Sequence, residues 1–187
     1  DIFPSLDAII NLCGAGIADG RWSKKRKEQL TTSRIKPAEE IISLCNKTNS
    51  TPTLIQASGI GIYPTYRGKK TDITNTEKDP INQDSTNFLS TLARQWEAAA
   101  VNPEQPGQRI IFLRFGVVCH LSGGAIKAML PAFKLGLGGP IGDGKQPFPW
   151  IALSDAVHII QFCLSTPEIS GPVNTVSPNL ITQKQLS

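Results

Sequence analysis

The sequence predicts an α/β fold, a doubly wound parallel sheet with helices on both faces. Three observations carry that expectation. Apolar runs short enough to be strands recur at 7–12, 53–58, 109–118 and 172–176. The runs are mostly apolar instead of strictly alternating, as strands covered on both faces are. Between them stand longer stretches in which apolar residues return at three- and four-residue steps, the spacing of amphipathic helices.

The first run, Asp7-Ala8-Ile9-Ile10-Asn11-Leu12, ends in the small-residue turn Cys13-Gly14-Ala15-Gly16. Ligands of open parallel sheets lie at the carboxyl ends of strands, so a nucleotide backbone can approach here; the plain alternative is a strand-to-helix turn. A helix is expected from Ser23, a candidate N-cap, to about Asn46, with Leu30, Ile35, Ala38, Ile41, Ile42 and Leu44 as its apolar positions. Pro37 should kink or divide it, because proline lacks the N–H of the helical ladder. The second strand, 53–58, ends at Ser58-Gly59-Ile60-Gly61, with Tyr63 and Tyr66 after it. A strand that ends in Ser-Gly offers a hydroxyl and bare backbone at the sheet edge. Residues 67–84 are polar and without period, which reads as a long loop.

Residues 85–100 read as a helix, with Phe88, Leu89, Leu92, Trp96 and Ala99 on one face. The run 109–118 is the clearest buried strand and carries Arg114 toward its carboxyl end. Gly123-Gly124 opens a helix over 125–135. Ser154 or Asp155 caps another that runs to about Ser165, and 172–176 is the last strand. Thr182-Gln183-Lys184-Gln185 reads as a capped helix just beginning. The chain begins without Met almost directly on a strand and stops on that opening helix. Both ends are therefore expected to be cut. Residues 1–187 are expected to form one domain fragment, with the first strands and the C-terminal end of the fold lying outside it.

Composition narrows the classes. A chain of 187 residues that is 40% hydrophobic and 18% charged suits one globular domain with a core. The net charge of +4 is modest, and its clusters, Lys24 to Lys27 and Arg67-Gly68-Lys69-Lys70, read first as solvated faces. No aromatic residues interleave with them to stack bases, so nucleic acid is not the expected partner. No apolar run nears the length of a membrane span, and no signal peptide precedes the first strand. Cys13, Cys45, Cys119 and Cys163 stand far apart and read as reduced core residues of a cytoplasmic protein. No metal is expected, because neither His120 nor His158 has a ligand partner at metal spacing.

The stretch 136–155 carries a second candidate site. Small residues there allow tight turns and close approach of a ligand; Lys145 and Gln146 supply ammonium and amide groups. The apolar run Trp150 to Leu153 follows, then Ser154 and Asp155. Such a loop suits a phosphate- or sugar-bearing ligand; the alternative is a surface loop of turn residues.

Several motifs, taken in order, resemble one family. DAIINLCGAGIADGRWSKKRK followed by Ser33-Arg34, then LIQASGIGIY, QWEAAA at 95–100, LRFGVV at 113–118 and GGAIKAMLPAFKLGLGGPIG at 123–142 are similar to the atypical YfcH-type branch of the extended short-chain dehydrogenase/reductases. The resemblance covers nearly the whole chain. It implies a Rossmann-like fold that binds NADP(H), with NAD(H) as the other candidate, and a small-molecule substrate of the nucleotide-sugar kind. A homodimer is compatible with it. No G-x-x-G-x-x-G precedes Asp7, so this piece is expected to hold the nicotinamide and substrate side, with 136–187 as the substrate-loop region.

Carried over by position, Gly14, Ala15, Arg34, Ser58, Gly59, Arg114 and Gly116 are the implied cofactor residues. Gln146 and Trp150 are the implied substrate residues. Ser58 is the implied partner of a substrate oxygen, and Tyr63, which directly follows the strand end, is a candidate acid on its position alone. Two readings stay open for several of them: Gly14, Gly59 and Gly116 as plain turn glycines, Arg114 as a surface ion-pair partner, and Asp155 as a helix cap. The chain also departs from the superfamily. If Glu97 takes the acidic position that follows the usual Tyr-x-x-x-Lys pair, the Tyr and Lys slots fall on Leu89 and Ala93. Neither can move a proton. Ala152 and Ile62 stand where relatives often carry His and Tyr. The reading is an epimerase-type oxidoreductase that transfers hydride at a carbonyl or carbinol, and its rival is an NADP(H)-binding sensor without catalysis.

Overall fold

The computed structural model describes residues 6–64, 74–81, 83, 86–140 and 142–187. Tyr66, the cluster Arg67 to Lys70, Ser85 and other parts of the loop between the second strand and its following helix lie outside these residues. The main sheet has four parallel strands in the order β1-β2-β3-β7, namely β1 (Ala8–Asn11), β2 (Thr53–Gly59), β3 (Ile110–Phe115) and β7 (Gly171–Thr175). Helices α1 (Lys24–Thr48) and α2 (Phe88–Ala99) lie on one face and α4 (Leu153–Ser165) on the other. The expected α/β class and parallel sheet are what the chain forms.

The two-residue period of the strands sorts their side chains between these layers. Leu54 packs with Ala38, Ile42 and Ala100 on the α1–α2 side. Its neighbour Ile55 packs with Ile111, Leu113 and Cys163 on the α4 side. Leu54, Ile55, Ile111 and Leu113 are fully buried, each stabilising the fold by about 1.5–3 kcal/mol over an exposed position. Arg109 closes the α4 side by donating to Cys163 O, Thr166 O and Ile169 O at the end of that helix, where a cation complements the helix dipole.

Ser23 caps α1 as expected, its side chain accepting from Arg26 N at 3.2 Å. The Thr182 capping box also forms, at the start of α5 (Gln183–Leu186). Four local expectations are corrected. Pro37 does not divide α1, which runs through it as one helix of 25 residues. The buried stripe Leu30, Arg34, Ala38, Ile42, Cys45 continues on both sides of the proline, and tertiary packing of that stripe outweighs the local cost. The run 109–118 is not one strand. It breaks at Gly116 into β3 and β4 (Val117–Cys119), and β4 leaves the main sheet to pair with β6 (Trp150–Ala152). Neither Ser154 nor Asp155 caps α4: the N-cap is Ala152, without a side-chain bond, and Asp155 sits in the first turn, where its charge suits the helix dipole. Cys13 is exposed, not core, whereas Cys45 and Cys163 are buried.

The substrate-loop region builds small structures beyond β3 and β7. Helix α3 (Gly124–Lys134) follows β4, and β5 (Pro147–Phe148) pairs antiparallel with β8 (Ile181–Thr182). Backbone bonds from Gly116 N to Thr175 O and from Ser177 N to Trp150 O tie these pieces to β7 and the residues after it, and Val117 N to Pro149 O joins β4 to the segment before β6.

Candidate active site

Strand register assembles the site. Ser58 on β2 stands opposite Arg114 on β3, which stands opposite Asn174 on β7. All three lie near the carboxyl ends of parallel strands, the ligand-binding edge of such sheets. The face they share becomes polar toward that edge, from Leu54 through Gln56 to Ser58 and from Ile110 through Phe112 to Arg114. Gln56 meets Asn11 of β1, whose Nδ2 donates to Gln56 Oε1 at 2.8 Å.

Helix α2 supplies the anion. Its apolar positions fix it against β2 and α1, and this turns Glu97 toward the row. Ser58 Oγ donates to Glu97 Oε1 at 2.7 Å. Arg114 grips the same carboxylate with two prongs, Nε to Oε1 at 2.8 Å and one terminal nitrogen to Oε2 at 2.9 Å. Its other terminal nitrogen donates to Tyr63 Oη at 2.8 Å, and Tyr63 in turn donates to Asn174 Oδ1 at 2.8 Å. Arg114 Cζ also lies 5.0 Å from the Tyr63 ring centroid. Asn174 carries the chain of bonds outward, from its Nδ2 to Asn75 O at 3.1 Å and from its backbone N to Glu77 Oε1 at 2.7 Å.

The inner part of the network is buried, while Glu97 and Asn174 are partly buried and Glu77 is exposed. Ser58, Tyr63 and Arg114 are 4%, 5% and 5% exposed. For Arg114 burial opposes the charge, but the hydrogen bonds and attraction from Glu97 and Tyr63 prevail and raise its pKa above the ordinary value. Of the two readings of Arg114, a surface ion pair is excluded by that burial: the ion pair exists, but inside.

The other predicted residues fall into three places. Gly14 and Ala15 form the turn after β1, with Arg34 of α1 beneath it, its guanidinium donating to Ala15 O at 3.0 Å. Gly59 leads into the 3-10 turn Ile60–Ile62, and a Cβ there would find its nearest neighbour, Phe115 O, at 4.0 Å. Gly116 is packed tight instead: a Cβ would stand 2.8 Å from Pro149 O and 2.9 Å from Val176 Cγ1. Gln146 and Trp150 are both tied to the end of the chain, Gln146 O accepting from Gln183 N at 3.0 Å and Trp150 Nε1 donating to Asn179 O at 3.2 Å. The loop that leads into Gln146 turns on Gly142 and Gly144, both at positive φ. Leu89 and Ala93 lie on α2 about two turns and one turn before Glu97; Ala93 packs against Ile62 and Tyr63 in a small apolar cluster. Asn174, Ser33 and Glu97 were not among the predicted site residues: Asn174 and Glu97 act through partners far along the chain, and Ser33 was marked only by the motif it shares with Arg34.

Among the described residues no group of His, Cys, Asp and Glu could hold a metal, and no helix is long and apolar enough to cross a membrane. A parallel sheet flanked by helices on both faces, with a polar row at its carboxyl edge, defines a Rossmann-like fold. Comparison with known proteins narrows this: the chain belongs to the NAD-dependent epimerase/dehydratase family, whose model matches residues 1–176. It is 38% identical over 182 residues to the epimerase family protein Mb2239 of Mycobacterium bovis, covering 97% of this chain and 58% of that protein. It is 38% identical over 183 residues to the epimerase family protein YfhF of Bacillus subtilis, again 97% of this chain and 58% of that one. The crystal structure of human epimerase family protein SDR39U1 (isoform 2) with NADPH matches with a TM-score of 0.86 at 32% identity, covering 97% of this chain and 60% of the human one. The chain thus spans somewhat over half the length of these relatives.

Proposed function

We propose that the chain forms the nicotinamide and substrate side of an NADP(H)-dependent oxidoreductase or epimerase, acting at a carbonyl or carbinol of a small molecule of the nucleotide-sugar type. The observation that carries this reading is the register-aligned row Ser58, Arg114, Asn174 at the carboxyl edge of the sheet. The similarity to an NADPH-bound relative supports NADP(H) over NAD(H).

The residues at the edge fit the nicotinamide half of such a cofactor. The open space at Gly59 lets a flat ring approach the backbone. The partly buried acid, Glu97, is balanced by Arg114, so it does not repel an anionic ligand. In this reading Gly14, Ala15, Arg34, Ser58, Gly59, Arg114 and Gly116 form or support the cofactor surface, and Gln146 and Trp150 the substrate surface.

When bound, the nicotinamide gives or takes the hydride. The chain's own groups handle the proton and the orientation. Because the Ser58 hydroxyl donates to Glu97, its oxygen lone pairs remain to accept from a carbinol O–H. Glu97 and Arg114 hold that hydroxyl in one orientation. Tyr63, held between Arg114 and Asn174, is the second proton-handling group. A cytoplasmic homodimer is the assembly that accompanies this reading.

The rival is an NADP(H)-binding protein without turnover. One observation favours it: both hydroxyls are buried and engaged, and the Tyr and Lys slots hold Leu89 and Ala93. A fluorescence titration with NADPH and then NADH tests the cofactor, with tighter NADPH binding expected. A panel of carbonyl compounds and nucleotide sugars then tests turnover, with Ser58→Ala and Tyr63→Phe as controls. Binding of neither nucleotide sinks both readings; binding without turnover of any panel member selects the rival.

A further inference from the structure

Helix α1 reaches the turn after β1 through two consecutive residues. Ser33 Oγ accepts the Ala15 N–H at 3.0 Å and donates to Leu30 O at 3.1 Å. Arg34 donates with one terminal nitrogen to Ala15 O at 3.0 Å and with the other to Leu30 O at 3.0 Å. Both hydrogen-bonding groups of Ala15 are therefore held from a single turn of one helix. Gly14 makes the grip possible, because a Cβ there would stand 2.9 Å from Arg34 Cζ.

Arg34 is an expensive residue to keep in this place. It is 6% exposed, lies with Cζ 5.0 Å from the Trp96 ring centroid, and has no ion-pair partner among the described residues. Its Nε has no hydrogen-bond partner. Burial, and then repulsion from Arg26, lower its pKa. A buried cation without an anion is ordinarily selected against for stability alone.

We infer that Ser33 and Arg34 are positioning residues that lock the Gly14–Ala15 turn into the shape that receives the dinucleotide, without touching the nucleotide themselves. This rests on the cofactor reading above. Since Ala15 spends its N–H and C=O on α1, it offers the ligand a fixed surface and no backbone hydrogen bonds. The fork of the guanidinium is essential, because it spans Leu30 O and Ala15 O at once; an ammonium keeps the charge but has no planar fork.

The experiment compares Ser33→Ala, Gly14→Ala and Arg34→Lys with wild type in the full chain, by NADPH fluorescence titration and by amide hydrogen exchange at Ala15 without nucleotide. Ser33→Ala is the gentle variant and carries the test if either of the others fails to fold. The expected result is NADPH affinity weakened about tenfold, of the order one buried hydrogen bond commands, together with lost protection of the Ala15 amide. Retained charge in Arg34→Lys should not rescue it. Unchanged affinity in folded variants overturns the inference, as does unchanged Ala15 protection in Ser33→Ala. Wild-type protein that binds no nucleotide removes the cofactor reading and with it the role proposed for the clamp; Ala15 protection then still reports whether the clamp itself exists.

Discussion

Two guanidinium groups lie buried near the carboxyl edge of the sheet, Arg114 on β3 and Arg34 on α1, at 5% and 6% exposure. Arg114 faces a carboxylate in two-pronged geometry, and its pKa is raised. Arg34 faces carbonyl oxygens and an indole ring, and its pKa is lowered. Equal burial therefore says little about what a charge does. The first group is one half of a neutral unit that fastens α2 to the strands. The second is an uncompensated cation that holds a turn.

The largest difference should appear when a partner is removed. Glu97→Ala leaves Arg114 buried alone, and the expected loss is about 3–5 kcal/mol in chemical denaturation. Arg114→Met should cost as much, since it strands the carboxylate. The double variant should cost clearly less than the two losses added, as for groups that act as one unit. Simple additivity would break the picture of a neutral pair.

Arg34→Met comes next in size. It strands no opposite charge and forfeits hydrogen bonds to two carbonyls and the contact with the Trp96 ring, so about 1–2 kcal/mol is expected by the same denaturation measurement. A loss as large as that of Arg114→Met would erase the distinction between the two arginines. Asn174→Ala, at the outer end of the Arg114 network, should cost about 1 kcal/mol, read as a shift in denaturation midpoint with unchanged slope.

The smallest effect is a rate. Cys13 is exposed beside the turn that Arg34 holds, whereas Cys45 and Cys163 are buried. A thiol reagent should modify Cys13 first in the native protein, and NADPH should slow that modification. Equal rates with and without NADPH would separate the Arg34 region from the ligand.

Much of this frame was legible in the residues. The apolar runs ending at Ser58 and Arg114, and the spacing of Phe88, Leu92 and Trp96, identify strands and a helix because burial imposes their periods. Ser23 and Thr182 announce helix starts through local side-chain bonds. What escaped depends on distance along the chain. Tyr63 and Asn174 are 111 residues apart, and Ser33 meets Ala15 across 18. Gly116 looks like any residue of an apolar run until Pro149 is brought against it. Pro37 misleads for the same reason, since the packing that carries α1 through it comes from other segments.

Gly116 also has an evolutionary side. At that residue the chain passes from the main sheet to the pieces that carry Gln146 and Trp150, and the join is made by main-chain atoms at Pro149, Trp150, Thr175 and Ser177. A seam of backbone bonds does not depend on which side chains stand on either side. The segment 136–146 can therefore change in length and sequence while its ends stay anchored. A mount of this kind tolerates changes in the segment it carries, as a tool takes new bits, provided that position 116 never acquires a side chain.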